Sequence, residues 1–269
     1  MSTIDAMTHQ PRKRFGQNFL HDPSVIARIH AAIAAQPGER LVEIGPGQGA
    51  ITAGLLTAAG ALDVIELDRD LIEPLRQRFG SNTLRIHNSD ALQFDLRTLV
   101  SAGERLRVIG NLPYNISTPL MFHFLDQADS IIDLHLMLQK EVVERIVAAP
   151  GNKVYGRLSI MVQSRCQASC LFRIGAGAFT PTPKVESAFL RLRPLQPLPY
   201  PIDNPELHFR LVAAAFGQRR KTLRNSLAEF VTPAHFAATE IDPKLRAENL
   251  DVESYARLAN AVNATELAI

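Results

Sequence analysis

Cysteine is scarce in this chain, long apolar runs are missing, and neither sign of charge dominates. Each shortage removes a class of protein. The only two cysteines are Cys166 and Cys170. A structural zinc site needs a second ligand pair, and none is spaced to supply it. The expectation is no metal, and two buried free thiols in a strand. No apolar stretch approaches the roughly 20 residues that cross a bilayer, so no membrane span is expected. Met1 to Gln10 is polar and Arg12-Lys13-Arg14 follows it, which is not the layout of a signal peptide. A cytoplasmic location is expected by default. The net charge of +2 and pI of about 8.6 are too mild to mark nucleic-acid binding by themselves. No internal repeat or low-complexity tract occurs. What is present, 269 residues with 46% hydrophobic and 21% charged, suits one large domain plus a small one.

Strand and helix patterns alternate through the first two-thirds of the chain. Arg40 to Ile44, Ala61 to Glu66, Leu84 to Ile86, Leu106 to Ile109 and Ile131 to Leu138 read as strands. Val25 to Ala35, Ile51 to Ala59, Leu71 to Phe79 and Lys140 to Val147 read as helices, with Pro74 tolerable only in a first turn. The alternation argues for an α/β fold around a mostly parallel sheet. Cys166 to Ile174 and Ser187 to Arg193 read as two further strands, an antiparallel edge. Pro194, Pro197, Pro199 and Pro201 then mark a stiff linker. Beyond it, Glu206 to Phe230 has helical periodicity, and shorter helices are expected near Thr232, Asp242 and Asp251. The expected domains are 1–195, with an arm over 1–20, a linker over 196–204 and a helical domain over 205–269.

The polar signals fall at strand ends. Asn111-Leu112-Pro113-Tyr114 follows the strand at 106–109. An amide, a rigid proline and an aromatic ring suit holding a flat base and accepting from its exocyclic amine. Glu43-Ile44-Gly45-Pro46-Gly47-Gln48-Gly49 follows the first strand of the sheet. Its spacing differs from the dinucleotide fingerprint, and its acid suggests a ligand with a positive group. Glu66 ends the next strand, where a carboxylate can accept from both hydroxyls of a ribose. Asp90 follows the third strand and can accept from an adenine amine. Taken singly, these are also a tight loop, a solvated strand end and a helix cap. Their order places them on one edge of a parallel sheet, where ligands of open α/β folds bind. Arg219, Arg220, Lys221 and Arg224 gather cations that helical spacing would set on one face, either a phosphate grip or a solvated surface.

The combination resembles the 16S ribosomal RNA adenine dimethyltransferases, which use S-adenosylmethionine. The resemblance runs nearly end to end. It rests on Lys13 to Leu20, Glu43 to Gly47, Asn111 to Ser117, Leu138 to Val142, Phe179 to Ser187 and Phe216 to Arg224. It implies a Rossmann-like class I methyltransferase fold with a mostly parallel seven-stranded sheet and a small all-α C-terminal domain. It also implies roles. Asn18 and Leu20 would lie over the cofactor, although without the resemblance they read as an ordinary helix entry. Gly45 and Gly47 would border the cofactor, with Gly45 by its methionine part. Glu66 would hold the ribose and Asp90 the adenine. Asn111 would face both cofactor and target amine, with Leu112, Pro113 and Tyr114 completing the catalytic motif and Phe179 covering the base's other face. Arg219, Arg220, Lys221 and Arg224 would grip RNA.

The expected activity is therefore dimethylation of the N6 amines of two adjacent adenosines in a 3'-terminal hairpin of 16S rRNA. The expected partner is a small-subunit precursor particle, and the expected state a monomer. Three readings compete. One is an adenine methyltransferase acting on large-subunit RNA, of the drug-resistance type, or on DNA, one a non-enzymatic assembly factor, and one an NAD oxidoreductase.

Overall fold

The computed structural model describes residues 17–218 and 220–266. Arg12-Lys13-Arg14, the rest of the arm before Gln17, and Arg219 lie outside the described residues.

The elements begin with a two-residue strand, β1 (Phe19–Leu20), and α1 (Pro23–Ile33). Asp22 starts α1: its carboxylate accepts from the N–H groups of Ser24 at 2.8 Å and Val25 at 3.2 Å. Pro23 occupies the first helical position, where no N–H is needed. Val25, Ile29 and Ile33 recur at helical spacing and are buried. Next come β2 (Leu41–Ile44), α2 (Thr52–Ala59), β3 (Leu62–Ile65), α3 (Arg69–Phe79), β4 (Leu84–His87), β5 (Leu106–Asn111), α4 (Ser117–Leu125), β6 (Ile131–Gln139) and α5 (Lys140–Ile146). Helix α3 starts two residues earlier than the periodicity predicts, because Asp68 caps it through the Asp70 N–H. Pro74 therefore sits in the helix interior instead of the first turn.

The chain continues with α6 (Arg157–Gln163), β7 (Cys166–Ile174), β8 (Phe179–Thr180) and β9 (Ser187–Pro194). The main sheet has the order β4-β3-β2-β5-β6-β9-β7. β2, β3, β4, β5 and β6 pair in parallel, and β9 pairs antiparallel with β6. β2, β3 and most of β5 and β6 are buried, as strands covered on both faces must be. Neither cysteine is in a disulfide. Cys166 is buried as expected, but Cys170 is exposed. β1 pairs with β8 in a separate ribbon, Phe19 opposite Thr180 and Leu20 opposite Phe179. Residues 18–20 are thus no simple helix entry. The order reverses direction between β2 and β5, so the crevice for a ligand opens at their carboxyl ends.

Two compact units divide the chain. The first runs to Lys140 and includes Cys170–Arg193; the second takes Glu141–Ser169 and everything from Pro194 on. The sequence boundary at residues 195–204 lies near the start of that last segment, whereas the inclusion of 141–169 has no counterpart in the sequence pattern. The second unit holds α7 (Pro205–Gly217), α8 (Leu223–Ser226), α9 (Pro233–Ala238) and α10 (Val252–Glu266). Leu207, Leu211, Val212, Tyr155, Tyr255 and Leu258 are in its core. The Tyr155 and Tyr255 hydroxyls donate to the carbonyls of Leu250 and Ala247. Thr232 caps α9 and Asp251 precedes α10, as the sequence predicts; no helix begins at Asp242, which opens a turn.

The single helix expected over 206–230 is broken. α7 ends at Gly217, and Thr222 is extended with φ −70° and ψ 159°. Backbone bonds from Leu223 to Leu245 and from Arg224 to Pro243 draw this segment onto a neighbouring loop. These bonds set the break, since Gly217 is not left-handed and the Thr222 side chain makes no capping bond. Arg220 and Lys221 consequently lie in a turn and Arg224 in α8, so the cations do not share one helical face.

Candidate active site

A cavity of about 380 Å³ opens at the carboxyl ends of β2, β3 and β5. Its wall joins Asn18, Leu20, Gly45, Gly47, Glu66, Asp90, Asn111, Leu112, Pro113 and Tyr114. These positions are spread over nearly a hundred residues of sequence, and the sheet topology brings them together. Phe179 is not in the wall: it is 1% exposed and packs in the core opposite Leu20. In this arrangement it supports the ribbon beside the cavity.

The glycine loop forms one end. Gly45 has φ +63° and a Cβ there would meet nothing within 4 Å, so bare main chain faces open space. Gly47 has φ +57°, and a Cβ would lie 3.1 Å from two ring carbons of Phe19. The loop is held from outside by Arg78, whose Nη1 donates to the Gln48 carbonyl at 2.7 Å. The segment 17–20 then crosses over the loop. Gln17 Nε2 donates to Asp68 at 3.0 Å, Phe19 rests on Gly47, and the Asn18 carbonyl accepts from Asn111 Nδ2 at 3.0 Å. This last bond orients the Asn111 amide and leaves Oδ1 as its acceptor end.

Three carboxylates line the cavity. Glu66 accepts from the Gly47 N–H at 3.3 Å and the Asp68 N–H at 2.8 Å, which fixes its two oxygens and leaves lone pairs for hydroxyl donors. Burial pushes its carboxyl above the ordinary range. Glu43 is 2% exposed and accepts from Thr52 Oγ1 at 2.6 Å. Burial raises its pKa to about 7; the Thr52 bond opposes this and the charge of Glu66 adds to it. Asp90 accepts from the Leu92 N–H at 2.9 Å, closing a turn over 91–93 where no helix begins, and it lines the cavity. Among the described residues no Lys, Arg or His lines this wall. Such a site repels a pyrophosphate and suits a nucleoside ligand bearing positive charge, which argues against a dinucleotide. Its volume falls within the range of about 300–1,000 Å³ typical of small-molecule sites.

On the opposite side stands the base-holding motif. The Leu112 N–H donates to the Met137 carbonyl at 3.2 Å, which ties the Asn111–Leu112 peptide to β6. Tyr114 is half-buried, and its hydroxyl lies 2.6 Å from Ser187 Oγ. The Ser187 contact, the Gln17–Asp68 clasp and the Thr52–Glu43 bond were not foreseen from sequence. A threonine nine residues after the acid was the one available signal. In the second unit Arg220, Lys221 and Arg224 are exposed. Among the described residues no group of three or more His, Cys, Asp or Glu is arranged to hold a metal ion, and no helix is long and apolar enough to cross a membrane.

A model of the ribosomal RNA adenine dimethylase family matches residues 8–264. The chain is 57% identical over 253 residues to ribosomal RNA small subunit methyltransferase A of Pseudomonas aeruginosa, covering 94% of each. A Marinomonas protein of the same name is 51% identical over 255 residues, covering 94% of this chain and 96% of its own. Among solved structures, a dimethyladenosine transferase from Plasmodium falciparum has a TM-score of 0.80 at 24% identity, covering 92% of this chain and 98% of its own. The 23S rRNA methyltransferase ErmE has a TM-score of 0.73, also at 24% identity, covering 91% and 100%. These two likenesses speak to the fold alone, that of class I methyltransferases.

Proposed function

Because the chain belongs to the ribosomal RNA adenine dimethylase family, we propose that it dimethylates the N6 amines of two adjacent adenosines in a 3'-terminal hairpin of 16S rRNA. Its substrate is a small-subunit precursor particle and its methyl donor S-adenosylmethionine. One observation carries the reading: Asn111-Leu112-Pro113-Tyr114 opens on the same cavity as the glycine loop, Glu66 and Asp90.

The donor fits the residues present. Bare backbone at Gly45 admits its amino-acid chain, Glu66 accepts from a ribose, Asp90 accepts from an adenine amine, and the acidic wall suits a cation. It would supply a methyl group on a sulfonium sulfur. The rest is the work of the chain's own residues. The adenine amine is a poor nucleophile, because its lone pair is delocalised into the ring. Asn111 Oδ1 and the Leu112 carbonyl accept from its two N–H groups and favour a pyramidal nitrogen with a localised lone pair. The bond from Asn111 Nδ2 to Asn18 keeps the correct end of the amide turned to the task. Pro113 fixes the turn, and the Tyr114 ring stacks on the base, a contact worth about 1–3 kcal/mol. Much of the rate then comes from positioning, and the carbonyl dipoles stabilise the charge that develops on nitrogen. A base within a duplex must be unstacked to reach this cavity. Arg220, Lys221 and Arg224 act as phosphate contacts.

Tritiated S-adenosylmethionine, offered with under-methylated small-subunit particles, naked RNA, large-subunit RNA and DNA, tests the reading. Nucleoside analysis should find dimethyladenosine in the small-subunit RNA. Methylation confined to DNA or to large-subunit RNA would refute it.

A further inference from the structure

Tyr114 and Ser187 are 73 residues apart in sequence, yet their hydroxyls are 2.6 Å apart. The sheet order explains the meeting. β6 lies between β5 and β9, Asn111 pairs with Met137, and Gln139 pairs with Ser187. Tyr114, just past the end of β5, therefore reaches across the end of β6 to the first residue of β9. Ser187 is 0% exposed and does not line the cavity, so it touches no substrate. A hydroxyl so deeply buried needs a partner, and the tyrosine supplies it. The preceding residue is tied down twice: the Lys140 N–H donates to the Glu186 carbonyl at 2.9 Å, and Lys140 Nζ lies 2.6 Å from Glu186 Oε2. The anchor is thus itself anchored. Rotation of Tyr114 about χ1 would swing its hydroxyl away and break the bond, so the bond holds χ1.

We propose that Ser187 is a positioning residue that holds the Tyr114 ring at its stacking height, and that the second methyl transfer depends on it more than the first. This rests on the reading of Tyr114 as the ring that stacks on the target base. In the first transfer the amine donates two hydrogen bonds to Asn111 and Leu112, which position it together with the stack. As the N–CH3 bond forms, the S–CH3 bond breaks with its electron pair left on sulfur, and the amine then loses a proton to solvent, so the product has one N–H replaced by N–CH3. One of the two hydrogen bonds is then gone, and stacking carries more of the alignment.

The test measures both transfers with under-methylated small-subunit particles, for wild type, Ser187→Ala, Tyr114→Phe, the double variant and Tyr114→Ala. Ser187→Ala and Tyr114→Phe should each slow the second transfer about tenfold and the first no more than about threefold, since small misplacements cost rate steeply. Monomethyladenosine should accumulate, the double variant should be no worse than either single one, and S-adenosylhomocysteine affinity should be unchanged. An equal loss in both transfers, additive effects in the double variant or an unchanged product ratio would overturn the proposal. Tyr114→Ala separates the two layers. If it retains both transfers, the stacking reading itself fails; if it loses turnover while Ser187→Ala does not, only the role of Ser187 fails.

Discussion

Replacing Gly47 by alanine should damage the site through a chain of four residues, Gly47, Phe19, Asn18 and Asn111. The residue has φ +57°, a left-handed conformation that costs an L side chain about 1–2 kcal/mol. The new Cβ would also lie 3.1 Å from Cδ1 and Cε1 of Phe19, so that ring must give way. Phe19 is a partly buried side chain packed on the core, and lifting it forfeits on the order of 1 kcal/mol of burial. The total is roughly 2–3 kcal/mol of stability. Phe19 is half of the two-residue strand β1, so its displacement loosens Asn18, whose carbonyl orients the Asn111 amide. Ligand affinity and turnover should therefore fall together, affinity by roughly tenfold if about 1.4 kcal/mol of docking of the 17–20 segment is forfeited. Gly60→Ala is the control: φ is +84°, but a Cβ meets nothing within 4 Å, so only backbone strain of about 1–2 kcal/mol applies. Urea unfolding and calorimetric titration with S-adenosylhomocysteine read both quantities. If Gly47→Ala matches Gly60→Ala in stability and keeps wild-type affinity, the 17–20 segment does not act through Phe19.

Asn111→Asp keeps acceptor oxygens but sets one against the Asn18 carbonyl, so turnover measured with tritiated donor should fall about a hundredfold or more; near-normal turnover would show that the amide's orientation is not required. Glu43 keeps its proton to about pH 7 when folded but only to the ordinary glutamate value of 4.5 when unfolded. The folded state then binds more protons between those values, so stability falls as pH rises from about 4.5 to 7 and is level above. Glu43→Gln should abolish that slope and be about 3 kcal/mol more stable than wild type at pH 8, a difference visible in urea unfolding across pH. Arg220→Glu combined with Arg224→Glu should weaken particle binding and reduce the slope of its salt dependence by about one unit for each phosphate that is no longer neutralised, with cofactor affinity intact; equal loss of both affinities would indicate misfolding.

The parts of this fold written in apolar, β-branched segments were readable. Val64 to Ile65 and Val108 to Ile109 are buried parallel strands that announce themselves by composition, and Val42 and Ile44 do so on either side of the buried Glu43. The cavity was readable for the same reason, since its polar residues stand at the ends of those strands. What was not readable depends on partners distant in sequence. β1 and β8 have two residues each, too few to show a period. Glu141–Ser169 joins the later chain through contacts such as Gly151 N–H to the Glu248 carbonyl at 2.7 Å, which no local pattern encodes. The break before α8 rests on backbone bonds from Leu223 to Leu245 and from Arg224 to Pro243, partners about 20 residues away that the apolar periodicity does not reveal.

The same division runs through the site. Asn111-Leu112-Pro113-Tyr114 names the groups that hold a base, yet an amide has two ends and a ring can swing. Asn18 decides the first through a backbone carbonyl, an atom every residue carries, so sequence could not single it out. Ser187 decides the second through a hydroxyl that resembles any serine at the end of a proline-rich loop. The motif therefore specifies which chemistry is available, while two ordinary atoms, each more than 70 residues away in the chain, specify its direction. Substitutions that remove a base-holding group of the motif, such as Asn111→Ala or Tyr114→Ala, should abolish most of the turnover. Substitutions at its supports should instead change how well successive substrates are aligned, which is why the ratio of singly to doubly methylated product is the sensitive measure of them.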